Sequence, residues 1–337
     1  MASAPGYDAL LVVSFGGPEA PDEVMPFLAS VLGARASAER MREVALHYET
    51  FGGASPINAQ NRALVGALRA ELEAHGPKLP VYWGNRFWRP LVKDVIEEMA
   101  GDGVRRALAF VTSALSSNAG CRAYLEAIAR ARAEIGERAP EVEKLRGFYN
   151  HPGFVAAASE RLRAAIESLP EERRAGSPVI LTAHSLPLAM AAASDYEGEF
   201  REASALVMER VGADRWSLAY QSAPAGAPWL GPDIADALRA VAAGGARDVV
   251  VAPIGFLSDH MEVVYDLDVA AKAVADGLGL GFVRAATVGT HPAMLAMVRE
   301  LVLERTEGAP RRFLGSRGTR PDVCAEDCCA ALSFRGR

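Results

Sequence analysis

A segment of the chain recurs at a fixed distance, and this repeat constrains the fold more than any other feature of the sequence. Residues 103–117 (GVRRALAFVTSALSS) match residues 245–259 (GARDVVVAPIGFLSD), and both run from a turn through an apolar stretch to Leu-Ser. The offset of 142 residues, which is 245 minus 103, also relates Pro90 to Pro232, each placed where a proline opens a helix. Any two α/β units can share such residues by chance, but two segments with one offset favour a duplication.

Apolar runs of strand length alternate along the chain with segments of helical periodicity. The first run, residues 9–14, ends in Phe15-Gly-Gly-Pro18, as a buried strand that enters a turn does. Strands that are apolar on both faces predict parallel sheets with helices on both sides. We therefore expect two related α/β lobes that divide near residues 149–152. Further strand-like runs lie at residues 81–83, 107–111, 179–183, 218–220 and 249–254, and helical spacing fills residues 61–74, 156–168 and 234–243.

Composition and missing motifs exclude several functional classes. The chain has 337 residues, which is enough for two domains. Its formal net charge is −6, whereas nucleic-acid-binding proteins usually carry an excess of basic residues. No run of about 18 apolar residues, the length of a membrane-spanning helix, is present. The N-terminus lacks the basic start of a signal peptide. We therefore expect a soluble, cytoplasmic protein without nucleic-acid partners, and peripheral contact with a membrane surface stays open.

The glycine-rich motifs that bind nucleotides are also missing from the sequence. Neither G-x-G-x-x-G nor G-x-x-x-x-G-K-[ST] occurs. The segment Ala183–Leu186 resembles a nucleophile elbow but lacks its flanking glycines. Hydride-transfer enzymes, nucleotide hydrolases and α/β-hydrolases are therefore disfavoured.

His184 directly follows the predicted strand 179–183, at the end where ligands bind in doubly wound sheets. A histidine titrates near neutrality, so it can accept a proton or bind a metal. It can equally be a core histidine that hydrogen-bonds to the backbone. In the first half, Phe15 occupies the corresponding place after its strand.

The strand end at residues 256–268 carries Asp259, His260, Glu262 and Asp266. If a helix begins near residue 258, Glu262 and Asp266 share one of its faces, and two such acids repel each other unless protons or a cation lie between them. A solvated acidic face is the ordinary explanation of such a row, but the surrounding apolar residues favour partial burial. We expect a path for protons or for a divalent cation. In the first half, residues 118–120 are Asn, Ala and Gly, where the second half has His, Met and Glu at 260–262. Only the second copy therefore carries titratable side chains at these positions.

Aromatic residues lie beside an arginine and in a separate loop. Trp83, Phe87 and Trp88 flank Arg86, and Trp229 lies in a proline-rich loop. Flat apolar surfaces next to guanidinium groups suit a planar ligand that bears carboxylates. The same residues would also serve as ordinary packing between the lobes.

Six motifs of the chain, in order, resemble those of ferrochelatases, the enzymes that insert Fe²⁺ into a porphyrin in haem synthesis. They are Ser14–Glu19 (SFGGPE), Phe51–Ile57 (FGGASPI), Tyr82–Phe87 (YWGNRF), Ala183–Pro187 (AHSLP), Pro228–Pro232 (PWLGP) and Ser258–Glu262 (SDHME) with Tyr265. The resemblance covers about residues 8–305, nearly the whole chain. It implies a chelatase-like α/β fold of two similar Rossmann-like lobes, each a parallel sheet flanked by helices. It places the first lobe at residues 7–150, the second, with the main catalytic residues, at 151–308, and a cysteine-containing tail at 309–337.

The resemblance also implies roles for individual residues. His184 would take pyrrole protons or bind the incoming Fe²⁺, and Glu262 would face it across the porphyrin as the second catalytic and metal-binding residue. Asp259, His260 and Asp266 would form the path for protons or metal, with Asp266 in place of the glutamate often found there. The porphyrin-binding residues that it implies are Phe15, Arg86, Phe87, Gln221, Trp229 and Met261.

The cysteines of the chain are Cys121, Cys324, Cys328 and Cys329. In a cytosolic chain such a set indicates a metal site or free thiols rather than disulfides. Some ferrochelatases hold a [2Fe–2S] cluster on one internal cysteine and three in the C-terminal tail, and the actinobacterial C-x-x-x-C-C spacing is similar to this one. The resemblance therefore implies a [2Fe–2S] cluster on four thiolates, which would fix the tail to the first lobe. Free thiols or a zinc site are the alternatives.

The actinobacterial likeness favours coproporphyrin III as the substrate, giving Fe-coproporphyrin III (coproheme), with protoporphyrin IX to protohaem as the alternative. A porphyrin and Fe²⁺ are then the partners of the protein. A protein of another class, a two-lobed module that binds a porphyrin or metal without chemistry, would not need a histidine and an acid row that face each other.

Overall fold

The computed structural model describes residues 6–33, 37–224, 228–325 and 328–329, and in these ranges the chain forms two four-stranded parallel sheets. The first sheet has β1 (Ala9–Ser14), β2 (Val81–Asn85), β3 (Arg106–Val111) and β4 (Glu141–Lys144) in the order β2-β1-β3-β4. The second sheet has β5 (Val179–His184), β6 (Trp216–Gln221), β7 (Asp248–Ala252) and β8 (Gly281–Arg284) in the order β6-β5-β7-β8. If the strands of each sheet are numbered from one to four along the chain, both sheets have the order 2-1-3-4. This confirms the predicted fold of two similar parallel lobes.

Helices cover the sheets, and every residue of β1 and β7 is buried, as a parallel sheet with two covered faces requires. Two π-helical segments, Asn118–Arg122 and Asp266–Ala271, come after β3 and β7. Within the described ranges no helix has both the length and the apolar character needed to cross a bilayer. The α-helices are α1 (Val24–Leu32), α2 (Ala38–Glu49), α3 (Ile57–His75), α4 (Val92–Gly101), α5 (Ala123–Ile135), α6 (Pro152–Glu167), α7 (Glu171–Arg174), α8 (Leu188–Ala192), α9 (Tyr196–Val211), α10 (Ile234–Ala243), α11 (Met261–Tyr265), α12 (Lys272–Gly277) and α13 (Pro292–Thr306), with 3₁₀ turns at Pro21–Glu23 and Gly136–Arg138.

The last helix of the second half also packs against the first half. Helix α6 follows β4, opens the predicted second half and packs against α9 of that half. Helix α13 follows β8 of the second sheet and packs against both α6 and α3, where Arg299 Nε donates to Glu71 Oε1 at 3.1 Å. The contact with α3 buries Met297 and Leu301 of α13 in the same core as Leu68 of α3.

Histidine side chains cap α6 and α13 in matching ways. The Nδ1 atoms of His151 and His291 each accept a hydrogen bond from the backbone N–H two residues on, at 3.1 Å and 3.2 Å. His151 Nε2 lies 3.2 Å from Glu300 of α13, and His291 Nε2 lies 3.1 Å from Glu160 of α6. Each of the two helices is therefore capped by a histidine that also reaches the other helix.

An apolar cluster joins the two halves near the carboxyl ends of their sheets. It consists of Val24, Phe27, Leu28 and Tyr48 from α1 and α2 together with Met261 and Val264 from α11. Beside it, His47 stacks on Tyr265, with ring centroids 3.6 Å apart and ring planes 10° from parallel. Helices α1 and α2 of the first half thus lie against α11 of the second half.

Candidate active site

His184 is the last residue of β5, and the backbone around it is held from both sides. Tyr196 Oη donates a hydrogen bond to the His184 carbonyl at 2.8 Å, and Ser185 N donates one to the Gln221 carbonyl at 2.8 Å. The ring Nδ1 lies against the carbonyl of Ser185. About a third of the side chain is exposed (32%). The strand end therefore presents the other ring nitrogen, Nε2, to the site.

Glu262 lies in the first turn of α11, which follows β7. Its Oε2 is 3.5 Å from His184 Nε2 and 3.8 Å from His260 Nδ1. His260 is the N-cap of the helix, and its Nδ1 accepts a hydrogen bond from Glu262 N at 3.2 Å. The helix therefore begins at Met261 rather than near residue 258, and the cap places the imidazole beside the carboxylate. Two histidines and one acid therefore converge here.

In this structure His184 and Glu262 do not face each other across a gap that could hold a porphyrin. A planar ring between two groups needs about 7 Å, which is twice a van der Waals separation of about 3.5 Å. The nearest atoms of the two side chains are 3.5 Å apart. As the side chains stand here, both groups can therefore be reached from one side.

Contact between His184 and Glu262 sets their charges. Burial alone would lower the pKa of His184, but the charge of Glu262 and the hydrogen bond between them raise it above its ordinary value. Burial alone would raise the pKa of Glu262, but His184 lowers it below its ordinary value. Burial lowers the pKa of His260 in spite of the nearby acid. Near neutral pH the site therefore holds a charged pair next to a neutral imidazole, and because half of the Glu262 side chain is exposed, water screens the pair.

Asp266 opens the π-helical segment one turn after Glu262. Burial raises the pKa of Asp266 to about 7, with help from the charge of Glu262 and against a hydrogen bond that Ser222 Oγ donates to Asp266 Oδ2. Ser222 makes this contact from a positive φ of 66°, a conformation that is costly for a residue with a side chain. A carboxyl group that titrates near neutrality beside a charged pair can take up and release a proton there.

Asp259 does not continue the acidic row. Arg284 Nη1 lies 3.0 Å from Asp259 Oδ1, and Arg284 Nε lies 2.5 Å from Asp268 Oδ1. Asp259 N also donates a hydrogen bond to Gln60 Oε1 at 2.8 Å. Arg284 neutralises the Asp259 carboxylate and so takes it out of the predicted path for protons or metal.

Gln221 does not reach the ligand side of the site. It is fully buried, its Oε1 accepts a hydrogen bond from Thr182 Oγ1 at 2.8 Å, and its Nε2 donates to the Glu262 carbonyl at 2.6 Å. Both ends of the amide are thus used inside the protein, and in this arrangement neither is left for the predicted porphyrin contact. Gln221 instead ties β5 and β6 to the helix that carries Glu262.

The remaining predicted porphyrin-binding residues gather where β1 and β2 end and where the loop after β5 returns. The Phe15 and Phe87 rings lie 4.7 Å apart, and the Arg86 guanidinium stands 4.4 Å from the Phe87 ring centre. Burial lowers the pKa of Arg86, and Met261 is buried beside this group. Trp229 pairs with the loop after β5, and its indole N–H is buried without a hydrogen-bond partner. A spare buried donor and a desolvated guanidinium suit a flat ligand that carries acceptor groups.

The four cysteines form a series of contacts beside the first sheet. Cys121 lies in the π-helical segment after β3, and Asn118 of that segment donates its Nδ2 hydrogen to the Cys329 carbonyl at 3.1 Å. A hydrogen bond with the Cys329 thiol lowers the pKa of Cys121 to about 6. Cys328 Sγ is 3.9 Å from Cys329 Sγ. Burial raises the pKa of Cys324, and the neighbouring thiols of Cys328 and Cys121 add to that rise.

The thiols of the four cysteines lie near one another. Cys121 interacts with Cys329, Cys324 interacts with Cys328, and Cys328 in turn lies next to Cys329. Among the residues that the structure describes, no three or more His, Cys, Asp or Glu side chains are grouped so as to hold a metal ion. A [2Fe–2S] cluster needs four thiolates, and the positive charge of Lys144 near Cys121 favours the thiolate there.

Four residues of the site were not predicted from the sequence: Thr182, Tyr196, Ser222 and Arg284. Ser222 follows the end of β6 directly, so the strand-end argument that pointed to His184 would have found it. The other three act through hydrogen bonds or an ion pair to residues that are distant in the chain. No local sequence pattern marks residues of that kind.

Two parallel lobes with a histidine–carboxylate pair at the strand ends of one lobe have the architecture of a chelatase. The solved structure of SirB from Bacillus subtilis with Fe³⁺ shares this fold, with a TM-score of 0.57 at 13% identity over 90% of this chain and 97% of that chain. The family model described as Ferrochelatase matches residues 7–306. The chain therefore belongs to the ferrochelatase family, as its motifs predicted.

Two relatives show how far the similarity extends. A protein of Rhodopirellula baltica named Ferrochelatase is 47% identical over 98% of this chain and 95% of its own length. A protein of Frankia alni named Coproporphyrin III ferrochelatase is 50% identical over 97% of this chain and 87% of its own length. The similarity thus includes both lobes and confirms that the protein is an enzyme of metal insertion.

Proposed function

We propose that the protein inserts Fe²⁺ into coproporphyrin III to give Fe-coproporphyrin III. The contact of 3.5 Å between His184 Nε2 and Glu262 Oε2 carries this proposal, because it brings two groups that handle protons and metals to one point. The names of the relatives from Frankia alni and Streptomyces griseus, at 50% and 47% identity, support the choice of porphyrin. Protoporphyrin IX is the alternative substrate.

Metal insertion makes two demands, since the free-base porphyrin must lose two N–H protons and Fe²⁺ must lose bound water. His184 and Glu262 lie on one side of the macrocycle, so Fe²⁺ as substrate can approach both together. An imidazole binds a metal only in its neutral form, and the charged His184 must therefore give up its proton first. The binding of the metal and the movement of protons are thus coupled at this pair.

Asp266 is the next proton carrier. Its pKa of about 7 allows it to accept a proton from the pair and to release it to water in the same pH range. Ser222 holds the carboxyl group in place by its hydrogen bond. We propose that protons leave along His184, Glu262 and Asp266, while Asp259 is held by Arg284 and takes no part.

Recognition of the porphyrin falls to the aromatic group and Arg86. The rings of Phe15 and Phe87 offer an apolar surface for a macrocycle face, and the Arg86 guanidinium lies on the Phe87 ring, where it can meet a carboxylate. Coproporphyrin III carries four propionates and protoporphyrin IX carries two, so a site that offers a charged donor such as Arg86 favours the first. Each additional charge-assisted hydrogen bond contributes about 1.5–3 kcal/mol, which is about tenfold or more in binding.

Anaerobic assays of the purified protein with Fe²⁺ and each porphyrin test the choice of substrate. We expect kcat/KM for coproporphyrin III to exceed that for protoporphyrin IX by about tenfold or more. The opposite preference would assign protoporphyrin IX instead. Tight binding of both porphyrins without insertion into either would contradict the enzyme and favour a binding module.

We also propose that Cys121, Cys324, Cys328 and Cys329 bind a [2Fe–2S] cluster. The contacts among the four thiols support this assignment. Cysteines outside disulfides are typical of a reducing compartment, so we propose the cytoplasm as the location. When bound, the cluster joins the C-terminal segment to the first lobe by four iron–sulfur bonds. Protein purified anaerobically should show the visible absorbance of such a cluster and contain two iron and two sulfide ions per chain. The variant Cys329→Ser should lose the absorbance and the bound iron and sulfide. One zinc ion per chain, or no bound metal, would contradict the cluster.

A further inference from the structure

The start of α9 joins the C-terminal segment to the strand end that carries His184. Arg320 Nη1 lies 2.5 Å from Asp195 Oδ2, and Asp195 is the N-cap of α9. The next residue, Tyr196, donates its Oη hydrogen to the His184 carbonyl at 2.8 Å. Only two adjacent residues therefore separate an arginine of the C-terminal segment from the backbone of the histidine.

Glu199, one turn further along α9, strengthens this junction. It is fully buried, accepts a hydrogen bond from Ser116 N of the first half at 2.6 Å, and pairs with Arg320 Nε at 3.1 Å. Burial raises the pKa of Glu199 to about 7, so its negative charge depends on the arginine beside it. Three parts of the chain, namely the first half, α9 and the C-terminal segment, thus meet at one carboxylate.

The surface under this segment is shaped for its arginines. A Cβ atom on Gly198 would lie 2.6 Å from Arg317 Nη2, and a Cβ atom on Gly147 would lie 3.0 Å from Arg320 Cγ. Arg317 Nη2 also reaches Asp195 Oδ1 at 3.4 Å. Larger residues at the two glycines would push the arginines away from α9. The contact between the segment and α9 is therefore specific in shape as well as in charge.

The peptide bond between His184 and Ser185 is the element that this junction controls. The carbonyl of this peptide accepts a hydrogen bond from Tyr196 Oη, and its N–H donates one to the Gln221 carbonyl. The His184 ring lies against the Ser185 carbonyl. Rotation of this peptide would swing the imidazole and change its distance of 3.5 Å from Glu262. A displacement of about 1 Å at a reacting group costs as much as a hundredfold in rate.

We propose that Tyr196 and Arg320 are positioning residues for the iron-insertion reaction: Arg320 fixes the start of α9, and Tyr196 transmits that position to His184. This inference rests on the proposed role of His184. It assigns the C-terminal segment a function in catalysis that needs no contact with either substrate.

Two variants and a matched control test the inference. Tyr196→Phe removes one hydroxyl group, and the double variant Arg320→Met with Glu199→Gln cuts the link without leaving a buried charge unpaired. The control is Arg312→Ala, which removes an arginine of the same segment whose ion pair is with Glu300 of α13. We expect kcat to fall about tenfold in each of the two test variants, KM for the porphyrin to stay within about twofold, and the control to match the wild type.

The combination of both changes separates positioning from mere stability. If Tyr196 and Arg320 act through the same peptide, the combined variant loses no more than the worse of the two, since coupled sites are not additive. Unchanged kcat in Tyr196→Phe, multiplied losses in the combined variant, or losses that follow the melting temperature would overturn the proposal.

A second measurement needs no turnover. The NMR signals of the His184 ring nitrogens, assigned by their loss in His184→Ala, should shift in both test variants and stay in place in Arg312→Ala. Unshifted signals would overturn the positioning role. Shifted signals in a protein whose wild type inserts iron into no porphyrin would uphold positioning and refute the proposed function.

Discussion

The two lobes share one strand order but carry different chemistry at their strand ends. After β5 and β7 the second lobe presents His184 and Glu262, 3.5 Å apart. After β1 and β3 the first lobe presents Phe15 and the π-helical segment Asn118–Arg122. The scaffold thus fixes where side chains are placed at the strand ends, and the residues at those places differ: titratable groups in the second lobe, and an aromatic ring and Cys121 in the first.

Backbone space is one reason why the two ends differ. Gly120 corresponds to Glu262 at the offset of 142 residues, which is 262 minus 120. A Cβ atom on Gly120 would lie 2.8 Å from the Leu115 carbonyl oxygen. The turn of the first lobe is therefore too tight for the acid that the second lobe carries. Its shape instead brings Cys121 and Asn118 to the cysteines of the C-terminal segment.

The largest effect is expected when the second lobe is made like the first. His184→Phe places the side chain of the first-lobe counterpart at the reactive strand end and removes the base. We expect iron insertion to fall by about 10³-fold, while porphyrin affinity measured by fluorescence quenching changes only a few-fold. His75→Ala, at an exposed histidine of α3, serves as the control. Retained insertion in His184→Phe would mean that the difference between the lobes is not a catalytic one.

Removing the charge of Glu262 should lower activity and change the pH dependence of stability. We expect Glu262→Gln to reduce kcat by about 10²-fold. His184 has a raised folded pKa, so its contribution to stability is complete below the ordinary histidine pKa and is lost as pH rises through the raised value. Glu262 has a lowered folded pKa, so its contribution is complete above the ordinary glutamate pKa and is lost as pH falls below that.

The two contributions overlap in one pH window. The melting temperature of the wild type should exceed that of Glu262→Gln most clearly between about pH 5 and 7, and the difference should shrink on both sides. Thermal melts of both proteins from acid to alkaline pH provide the measurement. A difference in melting temperature that is the same at every pH would show that the ion pair does not set the charges.

A smaller effect tests the tight turn of the first lobe. Gly120→Ala should destabilise the protein by about 1–3 kcal/mol through overpacking, without a change in kcat per folded molecule. Gly101→Ala in α4 is the matched control, because nothing lies within 4 Å of its Cβ position, and there a gain of up to about 1 kcal/mol is expected. Equal unfolding free energies of the two variants in denaturant would refute the steric argument.

The smallest effect concerns the buried hydrogen bonds behind Glu262. Thr182→Val removes the donor to Gln221 Oε1 and should cost about 1 kcal/mol of stability. We expect a measurable fall in kcat, limited to about threefold because Gln221 keeps its second contact with the Glu262 carbonyl. The same substitution would have no effect on kcat if Gln221 did not hold α11. Steady-state kinetics and melting temperature of the same preparation separate the two outcomes.

The sequence predicts the scaffold well because the scaffold follows from local patterns. Apolar runs and the fixed offset define the strands and their repetition, and a residue directly after a strand, such as His184, is placed by that alone. Side-chain pairing is not local in the same way. Arg284, on β8, forms an ion pair with Asp259, which follows β7. The buried Gln221 accepts a hydrogen bond from Thr182 of the neighbouring strand. The contact of α13 with α3 of the first half is equally absent from the local pattern, because the turn before α13 gives no sign of which helix it will pack against.

The capping histidines of α6 and α13 define a reciprocal relation between these two helices. Whatever His151 does for α6 while touching α13, His291 does for α13 while touching α6. Such an isologous contact is the one that two identical subunits make about a twofold axis. One polypeptide therefore builds within itself, between two of its helices, the kind of contact that joins a symmetric dimer.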